Sequence, residues 1–94
     1  MADRPRCVTS VNGVTVTGEI VALATNDITV RLVGPLGCRG IGKSRGLHVP
    51  HFAMAYRPNW LADDSGDLTE RGLLKAQELL AELYTENQSR NKGS

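Results

Sequence analysis

The stretch Gly37-Cys38-Arg39-Gly40-Ile41-Gly42-Lys43-Ser44 has the GxxxxGK[ST] spacing of a nucleotide-phosphate loop. In that chemistry backbone N–H groups cradle phosphate oxygens, the lysine reaches the terminal phosphates and the hydroxyl holds magnesium. The apolar run Ile28 to Val33 supplies a strand in front of it. The pattern also needs a helix opening at the Lys-Ser pair, and Arg45-Gly46-Leu47-His48-Val49-Pro50 is a poor helix start. No apolar strand ending in aspartate follows to complete a magnesium site. The stretch therefore reads as a flexible, basic, glycine-rich loop, and nucleotide turnover is not expected.

The cysteines and histidines are Cys7, Cys38, His48 and His51. Two of each could hold zinc tetrahedrally. Their spacing argues against it: the cysteines stand 31 residues apart, with no close pair. In extended chain, His48 and His51 point to opposite faces. Cys38 beside either histidine would be a nucleophile and a base without a third group to orient them. The sequence predicts no metal, no cofactor and no enzymatic activity.

Charge is unevenly spread. The 94 residues carry a formal net charge of +1, yet Ile28 to Ala62 holds no acid. That segment contains Arg31, Arg39, Lys43, Arg45, Arg57 and both histidines, with Phe52, Tyr56 and Trp60 close by in sequence. From Asp63 onward seven acids face four bases. Cations beside aromatic rings are what single-stranded nucleic acid requires, for phosphate neutralisation and base stacking. Arg39, Lys43 and Arg45 are the candidate phosphate contacts. The competing reading makes Phe52 and Trp60 core residues, and has the basic middle complement the acidic end within one chain or between subunits.

These residues must be carried by a small scaffold. Asn12-Gly13 is a hairpin signal, since both residues tolerate the positive φ of a type I′ turn. It follows a short strand from Cys7 to Val11. Val14 to Leu23 reads as a long strand with Val14, Val16, Ile20 and Ala22 on one face and Thr15, Thr17 and Glu19 on the other. Val21 and Leu23 then fall on the polar face, which implies burial on both sides or a bulge. Gly18 marks a bend or a close approach. A turn at Asn26-Asp27 leads to a third strand through Ile28, Val30 and Leu32. Pro35 to Gly46 is predicted loop, and Leu47 to Tyr56 extended chain divided by Pro50.

The spacing then predicts a helix over about 68–87. Asp67 is the expected N-cap, with Glu70 three residues on. Leu73, Ala76, Leu80, Leu83 and Tyr84 form its apolar stripe, widened by Leu74 and Leu79. An exposed remainder, Leu74 or Leu79, would favour subunit contacts. Residues 88–94 read as a polar tail. Forty per cent hydrophobic and 22% charged residues suit one globular domain over 1–94, with strands over about 7–57. Met1 to Arg6 lacks the apolar core of a signal peptide, and no apolar run approaches the roughly 20 residues of a membrane span. A cytoplasmic protein with reduced thiols and no membrane association is expected.

This spacing resembles the Sm-like family of small β-barrels over about half the chain. The resemblance rests on Asn12-Gly13, then Gly18 in the second strand, the Asn26-Asp27 turn, the strand Ile28 to Leu32, and Arg45-Gly46-Leu47-His48-Val49. It implies a bent five-stranded barrel, a homo-oligomeric ring joined by strand edges, and RNA contacts at Asn26 or Asp27 and at Arg45. The chain departs from the family in placing its helix after the strands and in lacking an aliphatic residue before Arg45-Gly46. The architecture expected is α+β, mostly β: a small, strongly bent antiparallel sheet or barrel, Sm-like or SH3-like, of four or five strands with one C-terminal amphipathic helix. The function expected is non-catalytic binding of single-stranded nucleic acid, RNA first, by an oligomeric barrel. The alternative is an oligomeric protein-interaction module or a binder of small anionic ligands.

Overall fold

The computed structural model of the chain describes residues 5–50 and 60–92, with side chains through Gln88. Four strands, β1 (Arg6–Val11), β2 (Val14–Ala24), β3 (Asp27–Gly34) and β4 (Ser44–His48), precede one helix, α1 (Glu70–Lys92). The strands form one antiparallel sheet in chain order, β1-β2-β3-β4. Its outer strands do not pair with each other, so among the described residues the sheet is open. The architecture is α+β and mostly β, as the sequence predicts.

The Asn12-Gly13 turn has φ of 51° and 84°, and Val11 pairs with Val14 across it. The left-handed region that these two residues reach at low cost sets the β1–β2 register.

The parity break in β2 is a bulge. Ile20 pairs with Val30 and Ala22 with Thr29, so Val21 is the extra residue. One added residue turns every later side chain to the other face. Leu23 therefore faces the core, opposite buried Ile28, and Ala22 is exposed, which corrects the inward position that simple alternation gives it. A second irregularity falls at Val33, between the pairs Thr17–Gly34 and Gly18–Leu32.

Helix α1 lies across one face of the sheet. Cys7, Val16, Ile20, Val30 and Leu32 meet Ala76, Leu79, Leu80 and Leu83 in a single core. Leu73 and Leu74 do not join it, being 39% and 59% exposed. At 3.6 residues per turn, Leu74 is two positions from Ala76 and so on the opposite side of the helix. Gln77 Nε2 donates to the Val8 carbonyl at 3.0 Å, fastening the helix to the outer strand β1.

Three local expectations change. Thr69, not Asp67, caps α1: its Oγ1 accepts the Gly72 N–H at 3.0 Å. Asp63 accounts for the neighbouring turn, where its Oδ1 accepts the Ser65 and Asp67 N–H groups at 2.9 Å each. The helix runs on to Lys92, past the end expected near Asn87 and through most of the expected polar tail. Ser44, Arg45 and Gly46, expected in a loop, belong to β4 and pair with Arg31, Val30 and Thr29. The expected extended segment 51–56 and a fifth strand there lie outside the described residues, as do His51, Phe52, Tyr56 and Arg57.

Candidate binding surface

The glycine-rich segment is the β3–β4 connection. Gly42 N–H donates to the Leu32 carbonyl at 2.8 Å, and Leu32 N–H to the Lys43 carbonyl at 2.9 Å. Lys43 N–H closes a turn onto the Gly40 carbonyl at 2.9 Å. The end of α1 supports the same loop, with Gln88 Nε2 donating to the Arg39 carbonyl at 3.2 Å. Gly40, at φ +90°, lies so close to Asn87 that an added Cβ would fall 2.6 Å from its Cγ. The loop is thus held at both ends and in its middle, unlike the free glycine loop that composition alone suggests. It opens into strand β4 at Ser44, not into a helix, so no helix N-terminus stands behind Lys43 to receive phosphate.

The five nominated residues fall in three places. Arg39 and Lys43 project from the loop, both exposed. Among the described residues neither side chain has an acidic partner. Arg45 is paired with buried Val30 and so lies on the helix-facing side of edge strand β4. There its guanidinium meets Glu82 at 3.3 Å and also Glu86. These acids are four residues apart and share one helix face. Both charges of that pair are then opposed to Arg45, which leaves it less available to an outside anion.

Asn26 and Asp27 lie at the other end of β3. From Asp27 to Leu32, beside Lys43, is about 17 Å at strand rise. The Asn26 carbonyl accepts the Val49 N–H at 2.8 Å. Asp27 Oδ1 stands 2.7 Å from His48 Nδ1, across the β3–β4 pair. The turn and the basic loop therefore form no single patch.

Other groups are accounted for internally. Arg31 pairs with Glu19 on the face away from the helix. The Arg71 guanidinium lies 4.5 Å from the centre of the Trp60 ring, a half-buried residue packed against the core. Cys7 is buried on β1, and burial raises both its thiol pKa and that of Cys38. Among the described residues, no three His, Cys, Asp or Glu side chains stand close enough to hold a metal ion, and no helix is long and apolar enough to cross a membrane.

A groove of about 250 Å³ runs between β4 and α1, lined by Arg45, Gly46, Leu47, Lys75, Glu78, Leu79 and Glu82. Its two cations face two carboxylates, so it offers no net attraction to an anion.

Sequence reasoning missed the exposed apolar residues of the cationic loop. Leu36 is 93% exposed and Ile41 45%. A leucine between Pro35 and Gly37, inside a turn-rich segment, was the available signal. The Glu82–Glu86 pair gave none, because nothing in the sequence says which face of α1 borders β4.

Compared with protein-family models, curated proteins and solved structures, the chain matches none.

Proposed function

We propose that this chain is a non-catalytic binding module that engages single-stranded nucleic acid, RNA first, through the β3–β4 loop. The observation that carries the reading is the pair Arg39 and Lys43, exposed and, among the described residues, without an acidic partner, on a loop braced by the sheet and by α1. Cations on a braced loop lose little freedom when they meet phosphate. The long, bulged strand β2 supports an Sm-like bent barrel as the scaffold; the reading takes a homo-oligomer as its working form and the cytoplasm as its setting. Arg45 belongs to the scaffold in this reading, as the cation that joins β4 to α1.

Fluorescence anisotropy with a short U-rich RNA and a matched DNA duplex, at about 50 and 200 mM salt, tests it. Two phosphate contacts on a single strand give a salt slope of about −1.4, roughly a sevenfold loss of affinity over that range. Replacing both Arg39 and Lys43 by alanine should remove most of the slope. Absence of binding at 50 mM salt, or an unchanged slope in the double variant, overturns the reading.

A second reading is a protein-interaction module, with small anionic ligands in place of oligonucleotides on the loop cations. The exposure of Leu36 favours it, because an aliphatic side chain offers bases no stacking surface.

A further inference from the structure

We propose that the outer edge of β4 takes an extended peptide of another protein as an added strand, with one aliphatic side chain of that peptide seated in the groove beside α1. The inference goes beyond the nucleic-acid reading, uses neither Arg39 nor Lys43, and does not depend on it.

The two edges of the sheet differ. Val49 N–H donates to the Asn26 carbonyl at 2.8 Å, and Leu32 N–H to the Lys43 carbonyl at 2.9 Å. Bonded pairs alternate along an antiparallel ladder, so Leu47 and Arg45 also turn their backbone groups towards β3. Ser44, Gly46 and His48 therefore turn theirs outward. All three are exposed, and among the described residues nothing pairs with these outward N–H and C=O groups. On β1 the bond from Ile20 N–H to the Pro5 carbonyl, at 2.8 Å, fixes the same alternation, and Arg6, Val8 and Ser10 are the outward residues. There the middle carbonyl, that of Val8, already accepts Gln77 Nε2. Helix α1 thus closes the centre of the β1 edge, and the β4 edge stays open.

A row of outward N–H and C=O groups is complementary to the backbone of another extended chain. Side chains of an added strand alternate between the two faces of the sheet. Those opposite Arg45 and Leu47 point to the helix side, into the groove of about 250 Å³ between β4 and α1. Leu47 and Leu79 give that groove an apolar patch. Its charges are paired within the chain, Lys75 with Glu78 at 3.7 Å and Arg45 with Glu82 at 3.3 Å. The position opposite Leu47 therefore suits an aliphatic residue, and the one opposite Arg45 an uncharged polar residue. A second copy of the chain fits the edge less well. Joining β4 head-to-tail to β1 needs the Val8 carbonyl that Gln77 holds. Pairing β4 with itself about Gly46 sets Leu47 opposite the copy's Arg45, a side chain committed to Glu82 and Glu86.

The test uses the uncharged, end-capped peptide Ser-Thr-Leu-Thr-Gln-Thr-Ser. Laid antiparallel to β4, it sets its leucine opposite Leu47 and its glutamine opposite Arg45, and its threonines donate to the outward carbonyls. Titrated into the isotopically labelled chain and followed by NMR, it should bind with a Kd below about 1 mM. Hydrogen exchange at the Ser44, Gly46 and His48 N–H groups should slow when it binds. Methylating the threonine backbone nitrogens removes the donors and should weaken binding at least about tenfold. Methylating the leucine and glutamine nitrogens instead, whose N–H groups point away from β4, should leave binding unchanged. The unmodified peptide should bind alike at about 50 and 200 mM salt, unlike a nucleic acid on the loop cations. No binding at about 1 mM peptide overturns the proposal. So do equal losses from the two methylation patterns, or a peptide-free dimer that already protects the three N–H groups, which would assign the edge to a second copy.

Discussion

Leu80 occupies the space that a side chain on Gly18 would need. A Cβ built there falls 2.7 Å from Leu80 Cδ1 and 2.9 Å from the Arg31 carbonyl oxygen. The central strand can lie against the helix only because position 18 carries no side chain. Gly18→Ala should cost about 1–3 kcal/mol by overpacking a core, and Leu80→Ala about 2–5 kcal/mol by leaving a cavity. The double variant should cost less than the sum by about 1 kcal/mol or more, because the smaller residue at 80 removes one of the two clashes. Urea denaturation of the four proteins checks this; strict additivity would mean that the two positions are not in contact.

Gly40 poses the same question at the loop. Its φ is +90°, and its neighbour is buried Asn87, whose Nδ2 donates to the Leu83 carbonyl at 2.7 Å. Gly42 shares the φ of +90° but has open space around it. Gly42→Ala should cost only the backbone strain of about 1–2 kcal/mol. Gly40→Ala should cost more than that, because Asn87 must also move. A melting temperature lowered equally by both would dissociate the loop from the helix end.

Thr69 as the cap of α1 makes a sharp contrast with Asp67. Thr69→Ala should lose about 1 kcal/mol. Thr69→Ser should retain most of it, and Asp67→Ala should leave the helix content unchanged. Thermal melts followed by circular dichroism distinguish the two positions.

Arg45 and Lys43 should separate stability from binding. Arg45→Met removes the link to Glu82 and Glu86 and should cost about 0.5–1 kcal/mol, shrinking as salt rises. Lys43→Ala should leave the urea midpoint where it is and lower affinity for RNA. The reverse pattern would exchange their roles.

Burial of the Cys7 thiol sets a pH dependence. With its pKa raised in the fold, the folded chain holds a proton that the unfolded chain releases above the ordinary thiol value of about 8.5. The thiol's contribution is therefore complete below that pH and is lost as pH rises past it. Between pH 7 and 10 the parent should lose more stability than Cys7→Ala does. Equal losses would show that Cys7 is not the group concerned.

Much of the scaffold could be read from single residues. Asn12-Gly13 announces the first hairpin, and the crossing of Val21 and Leu23 to the wrong face announces the bulge. Simple alternation misplaces Ala22 because it does not count Val21 as the extra residue of the bulge. Asp67 and Glu70 mimic a capping box that Asp63 and Thr69 make unnecessary. Strand β4 was hidden because Ser44-Arg45-Gly46 has no apolar alternation of its own and is recruited by pairing with β3. The candidate surface was legible in part: Arg39 and Lys43 stand out in an acid-free segment. The engagement of Arg45 was not, since its partners lie 37 and 41 residues away. Contacts at that separation are fixed by how the helix lies on the sheet, which no local pattern encodes.

Each strand pairs with the one made just before it, and the helix that covers them comes last. Gln77 reaches Val8 across 69 residues of chain. During translation the hairpins can close as they emerge, while the face bearing Val16, Ile20 and Val30 waits for Leu79 and Leu80. Roughly 50 residues separate Val30 from Leu80, which is about 2.5–10 s of synthesis at 5–20 residues per second. For those seconds the apolar face of the new sheet would lack the helix residues that cover it. That interval, more than any state of the finished protein, is when a chaperone or a neighbouring nascent chain would find it.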